Sequence, residues 1–288
     1  MNLTVMYRGP LTSCNYACSY CPFAKRVESK SRLRKDKDSL ARFVDWIAAE
    51  TEIRWKILFT PWGEALVRKW YQNSVQILTQ LPHVEQVAAQ TNLSWGTDWL
   101  DQCDPDKSAF WATFHPTETA LDRFVEKVSE IDHRRMFVSV GMVAMTEQLP
   151  HIGAIRKCLP QHIQLWLNAR QPRPRPYTAE ELAFLVGIDP DFPATIKRHR
   201  SRGLPCRTGE NVFTVDGDGN MRRCHFVDEV IGNIHTSNWV DALRSRLCPK
   251  AFCDCHLGTA WLGGNEPLLR SRLPGFAADM AGLMDRTE

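Results

Sequence analysis

Cys14, Cys18 and Cys21, in the run Ser13-Cys14-Asn15-Tyr16-Ala17-Cys18-Ser19-Tyr20-Cys21-Pro22, place three thiols within one short segment. A structural zinc ion is closed by four protein ligands. Three thiolates suit a four-iron cluster better, because each can hold one iron and leave another open to a small molecule. An open iron implies chemistry at the cluster. The competing readings are a zinc site completed by a fourth ligand from elsewhere, or three unrelated buried thiols; C-x3-C-x2-C is not a common zinc spacing.

Five further cysteines, Cys206, Cys224, Cys248, Cys253 and Cys255, gather toward the other end of the chain. A hairpin is predicted between the first two, with Val212–Val215, a turn at Asp216-Gly217-Asp218-Gly219 and Met221–Arg223. Four of the five would close a metal site, with Cys206, Cys224 and two of the C-x4-C-x-C group favoured. Spacing leaves the metal open between a second iron–sulfur cluster and zinc, to which His256 is also available. Cys103 and Cys158 stand alone and read as small buried apolar groups.

The elements that must position these residues follow from hydrophobic period. Short β-type runs alternate with helix-period segments from Leu3 to about Leu167, which argues for βα units and a parallel sheet. The predicted strands are Leu3–Tyr7, Lys56–Thr60, Val84–Ala89, Ala109–Phe114, Met136–Gly141 and Ile163–Leu167. Apolar stripes at Leu121, Phe124, Val125, Val128 and Ile131, and at Leu40, Phe43, Val44 and Ile47, predict two helices. Thr117 or Thr119 is placed to cap the former. The cysteine triad therefore lies on the loop between the first strand and the first helix. Three prolines in Gln171–Pro176 mark a domain connection.

The triad, with Tyr20 before its third cysteine, resembles the signature of the radical SAM superfamily. That resemblance implies a partial (β/α)6 TIM-like barrel over residues 1–175. It also implies that S-adenosylmethionine chelates the open iron, and that its reductive cleavage gives a 5′-deoxyadenosyl radical that abstracts hydrogen from a substrate. Phe59-Thr60-Pro61-Trp62-Gly63-Glu64-Ala65 resembles the family's Gly-Gly-Glu-Pro segment, with Trp62 and Ala65 departing from it, and so assigns Gly63 and Glu64 to the cofactor's amino group. Thr91-Asn92 resembles a Thr-Asn-Gly step, with Leu93 in place of glycine. Asn92, His115 and Ser139 are further implied cofactor contacts. After a connection over 176–205, residues 206–288 resemble the SPASM and twitch auxiliary-cluster domains. Five cysteines, where a full SPASM domain carries seven, imply one auxiliary four-iron (4Fe-4S) cluster in a small cysteine-rich α+β domain. An electron donor such as flavodoxin or ferredoxin is implied as a partner.

Composition agrees with a folded enzyme. The 288 residues are 43% apolar and 24% charged, which is neither disordered nor fibrous. No apolar run approaches the roughly 18 residues that span a bilayer, and no basic-then-apolar leader precedes the triad, so a cytoplasmic protein without a membrane partner is expected. Ten cysteines in such a compartment point to metal ligation in place of disulfides. A net charge of +3 does not announce a nucleic-acid binder. The basic stretches Lys25–Asp38 and Arg170–Pro176 each read as a solvated surface loop or a stiff linker. Two functions remain in view: a radical enzyme acting on a peptide or a small molecule, and a non-catalytic iron–sulfur or zinc-binding regulator. Only the enzyme needs a glutamate-bearing turn in register with the triad.

Overall fold

The computed structural model describes residues 1–21, 23, 27–170, 175–253, 259 and 261–263. Six parallel strands follow the predicted runs: β1 (Asn2–Arg8), β2 (Arg54–Phe59), β3 (Val84–Thr91), β4 (Ser108–Thr113), β5 (Phe137–Ala144) and β6 (Leu165–Ala169). They stand side by side in chain order. When each crossover steps to the next neighbour with the same hand, every helix falls on one face of the sheet. That face carries α1 (Lys30–Ala49), α2 (Lys69–Gln80), α3 (Leu121–His133) and α4 (Leu149–Cys158). The connection from β3 to β4 holds only a 3-10 turn, Asp98–Gln102.

Period two along the strands sorts their side chains. Val5, Tyr7, Trp55, Ile57, Phe59, Val87, Phe110, Val140 and Leu167 pack against the helices in the main core. Met6, Leu58, Ala88, Ala109, Trp111 and Trp166 point the other way and form a second cluster, joined by Val212 and Trp261. A sheet with helices on one face only must curl to cover its other face, and the result is a mixed α/β protein with a large, mostly parallel sheet, consistent with a partial barrel.

The predicted hairpin forms as β9 (Val212–Asp216) and β10 (Asn220–Arg222), once α5 (Ala179–Ile188), α6 (Phe192–Ile196), β7 (His199–Arg200) and β8 (Pro205–Cys206) have passed. It does not stand apart from the sheet. β9 runs parallel to β1, and β11 (Val230–Asn233) completes a nine-stranded sheet beyond β10. Among the described residues no α-helical element packs on β9, and its helix-side face is covered by Trp239. The Trp239 ring meets Trp46 of α1 at 4.9 Å and Trp55 of β2 at 6.0 Å, and its indole N–H donates to Glu50 at 2.9 Å. Replacing Trp239 by alanine leaves a cavity between sheet and helix, and we expect about 3–5 kcal/mol of lost stability in urea unfolding.

Three sequence expectations need correction. The stretch Lys25–Asp38 is no solvated loop from Lys30 onward: it is the start of α1, where Asp36 is 1% exposed. Residues 25 and 26 lie outside the described residues. The α3 N-cap is Ala120, with no side-chain cap from Thr117 or Thr119. Cys158 is exposed at the end of α4, whereas Cys103 is buried and its thiol is pushed up to about 12 by burial. None of the described helices is long and apolar enough to cross a membrane.

Candidate active site at the carboxyl ends of the strands

The triad occupies the loop that leaves β1, at the carboxyl ends of the parallel strands, where the loops of such sheets build sites. Its entry is fixed by two acids hidden in the basic stretch. Glu28 accepts from Thr12 N at 3.0 Å, Thr12 Oγ1 at 3.1 Å, Ser13 N at 3.3 Å and Ser13 Oγ at 2.7 Å. Burial opposes its charge, yet these donors hold its carboxyl below the ordinary range. Asp36 accepts from Leu11 N at 3.1 Å, Trp70 Nε1 at 2.7 Å and Tyr71 Oη at 3.1 Å, while burial raises its pKa. Sequence reasoning missed both. Their signal was an acid at each end of a run of cations, which reads equally well as a solvated face.

Gly63 and Glu64 meet this loop through backbone. Glu64 N donates to Ser13 O at 3.2 Å, and a Cβ on Gly63 would lie 1.8 Å from Ser13 O and 2.4 Å from Ser13 C. Only glycine fits there. The Glu64 side chain is 2% exposed and accepts from Asn92 N at 2.5 Å, Leu66 N at 3.0 Å and Thr91 Oγ1 at 3.0 Å. Burial outweighs these donors and lifts its carboxyl to about 7. Asn92 closes the arrangement, with Nδ2 3.2 Å from Asn15 Oδ1 and 3.9 Å from Cys14 Sγ. Leu93, where the resemblance has glycine, keeps a left-handed backbone with φ of 55°. The conformation survives the substitution at the strain a non-glycine residue carries there.

His115, after β4, packs on the other side of the triad. Its Nδ1 lies 3.4 Å from Cys18 Sγ and 2.7 Å from Tyr20 Oη, and the ring stacks on Tyr20. Burial lowers its pKa to about 4, against the pull of Glu118, so the ring is neutral at physiological pH. Glu118 in turn accepts from Ala17 N at 3.1 Å. Ser139 is elsewhere. It sits within β5, fully buried, and its hydroxyl accepts from the Trp166 indole at 3.3 Å.

The chemistry of the donor set fits an iron–sulfur cluster. The Cys14 thiol is raised by burial and then by Glu64 and Cys21, and Cys18 is raised to about 11 by burial, Glu118 and the other two cysteines. Reactive cysteines have lowered pKa values. As free thiols Cys14 and Cys18 are poor nucleophiles, and a cationic centre beside them would be needed to hold them as thiolates. Among the described residues no three His, Cys, Asp or Glu side chains converge on a point where a single ion would sit.

The segment that carries Cys224 reaches the same mouth. His225, directly after Cys224, lies 2.9 Å from Thr60 Oγ1 at the end of β2, its pKa lowered to about 2 by burial and by Arg8. Arg8 stacks over Trp62 at 4.1 Å and donates to Thr60 O at 2.7 Å. Neither Arg8 nor His225 stood out in the sequence. Cys206 lies on β8, opposite Arg246 of β12 (Arg246–Leu247), and Cys253 on β13 (Phe252–Cys253), opposite His199 of β7. The Cys248 N–H donates to Leu204 O at 2.9 Å. Cys255 and His256 lie outside the described residues.

No protein-family model and no curated protein sequence matches the chain. Solved structures do. An anaerobic sulfatase-maturating enzyme, anSMEcpe, with bound AdoMet superposes with a TM-score of 0.55 at 13% identity, over 84% of this chain and 80% of that one. SuiB from Streptococcus suis, bound to precursor peptide SuiA, gives a TM-score of 0.54 at 12% identity over 82% and 63%. The chain thus has the fold of radical SAM enzymes.

Proposed function

We propose that this chain is a radical SAM enzyme whose Cys14, Cys18 and Cys21 hold a four-iron cluster with one iron open to S-adenosylmethionine. When bound, that pair supplies one-electron cleavage of the sulfonium and a 5′-deoxyadenosyl radical that takes hydrogen from substrate. The observation that carries the reading is the meeting of the triad loop with Gly63, Glu64, Asn92 and His115 at the carboxyl ends of four adjacent strands. The chain's own residues then do the positioning. Glu28 and Asp36 anchor the loop entry, Gly63 lets the β2 turn close on it, and Glu64 offers a buried negative charge to a cofactor ammonium that would otherwise be unpaired. His115, neutral, packs beside Cys18. Ser139, fully buried with its hydroxyl accepting from the Trp166 indole, would contact the cofactor only if that indole moved aside.

The substrate we favour is a peptide, supported by the peptides held by anSMEcpe and SuiB in their structures; a small molecule is the alternative. Residues 1–175 would form the catalytic core, with 176–205 leading to an auxiliary domain over 206–288. There Cys206, Cys224, Cys248, Cys253 and Cys255 would supply four ligands to a second four-iron cluster. An electron carrier of the flavodoxin or ferredoxin kind would reduce the first cluster. Thiolate ligation on this scale goes with a reducing, cytoplasmic compartment.

Anaerobic reconstitution, reduction and assay for 5′-deoxyadenosine test this. The native chain should form it, and alanine at Cys14, Cys18 or Cys21 should abolish it. Cleavage retained in any one of the three variants would sink the assignment.

A further inference from the structure

The carboxyl-terminal cysteines are framed by arginines. Arg223, next to Cys224, ties that cysteine to the strand leading to Cys248: its Nη1 donates to Leu247 O at 2.6 Å and its Nη2 to Arg246 O at 3.0 Å. Arg246, opposite Cys206, donates to Gly209 O and Ala242 O, each at 2.9 Å. The packing is close. Gly209 has a φ of 89°, and a Cβ there would lie 2.9 Å from Arg223 Cβ.

Arg223 is 3% exposed, and among the described residues its partners are carbonyls; no carboxylate pairs with it. A guanidinium does not give up its proton inside a protein, and carbonyl dipoles solvate its charge without cancelling it. A cation buried this way is costly unless an anion lies near. Arg246, on the strand paired with Cys206, adds a second guanidinium whose hydrogen-bond partners among the described residues are carbonyls. Positive charge is buried on the residue before Cys224 and against the residue before Cys248, and thiolates carry the opposite sign.

We propose that Arg223, supported by Arg246, is the buried counter-charge of an anionic iron–sulfur cluster on the carboxyl-terminal cysteines, and that it holds that cluster's reduction potential up. The inference rests on the cluster reading of this segment. Reduction adds one electron to the cluster, with no bond made or broken and no proton taken up. The added negative charge is stabilised by a nearby guanidinium, because net charge and hydrogen bonding are what set such potentials. Arg223 is therefore a positioning residue with an electrostatic consequence.

The test uses the full chain with Cys14, Cys18 and Cys21 all replaced by alanine, so that any remaining cluster is the carboxyl-terminal one. Iron and zinc are counted after anaerobic reconstitution, and the midpoint potential is read by titration with dithionite under spectroscopic control. Arg223→Lys should leave the potential near that of the parent. Arg223→Met, with iron retained, should lower the reduced-to-oxidised ratio at fixed potential about tenfold, a downward shift of about 59 mV for one electron. An Arg223→Met chain that keeps its iron and its potential overturns the proposal. If Arg223→Met releases iron, the half-buried Arg246→Met decides instead: a lowered potential supports the proposal and an unchanged one overturns it. Zinc without iron in the parent overturns it differently, by removing the cluster on which it rests.

Discussion

Replacing Gly63 by alanine should cost this chain the cluster we propose for its amino-terminal triad while leaving the fold standing. The new methyl carbon would sit 1.8 Å from Ser13 O and 2.4 Å from Ser13 C. Both are backbone atoms one residue before Cys14, so no rotamer change relieves the clash. The loop must move by an ångström or more, and it is held elsewhere by Glu28 and Asp36. Displacement on that scale is worth about 10²-fold in rate at a reacting centre. We expect reconstituted iron to fall by up to about four atoms per chain, 5′-deoxyadenosine formation to drop by at least about two orders of magnitude, and far-ultraviolet circular dichroism to stay native. Gly96→Ala, where an added Cβ meets nothing within 4 Å, is the control. If the Gly63 variant binds iron like its parent, the close approach of turn to loop is not what seats the triad.

Glu64 should make the stability of the metal-free chain fall as pH rises. Its carboxyl is lifted from an ordinary 4.5 to about 7, first by burial and against the pull of the Asn92, Leu66 and Thr91 donors. Between those two values the folded state keeps a proton that the unfolded state has released, so stability decreases with pH across that window. The stabilisation is fully present below about 4.5 and lost as pH rises through about 7. At 1.36 kcal/mol per pH unit the change is about 3 kcal/mol. Urea unfolding of the native chain and of Glu64→Gln, at intervals from pH 4.5 to 8, isolates this contribution as the difference between two curves. Parallel curves would mean that Glu64 is ionised in the fold throughout. A cofactor ammonium beside Glu64 would pull its pKa back down, so saturating S-adenosylmethionine should flatten the native curve.

The six strands, their order of appearance and the loop that carries the triad were legible because hydrophobic period is a local property. Runs such as Lys56–Thr60 and Ala109–Phe114 announce themselves residue by residue. The stretch Lys25–Asp38 was misread for the same reason. A run of cations looks solvated, and nothing local says that Asp36 turns inward to meet Leu11, Trp70 and Tyr71. Likewise the hairpin was foreseen, but its place beside β1 is a pairing between residues about two hundred positions apart, which no local pattern encodes.

By itself, the sequence determined the residue types and spacings from which the proposed chemistry is read. Three thiols on one loop, a glycine and a glutamate ending the next strand, and a second cysteine group near a hairpin are matters of residue type and spacing, and spacing survives any folding. Only the tertiary structure decided which groups are pressed together and what that does to them. Gly63 is there because the cysteine loop's backbone touches it, Glu64 is lifted toward neutrality because the fold buries it, and Ser139 is covered because Trp166 lies over it. Proximity and burial set these properties. Both come from contacts between distant parts of the chain, which spacing along it cannot reveal.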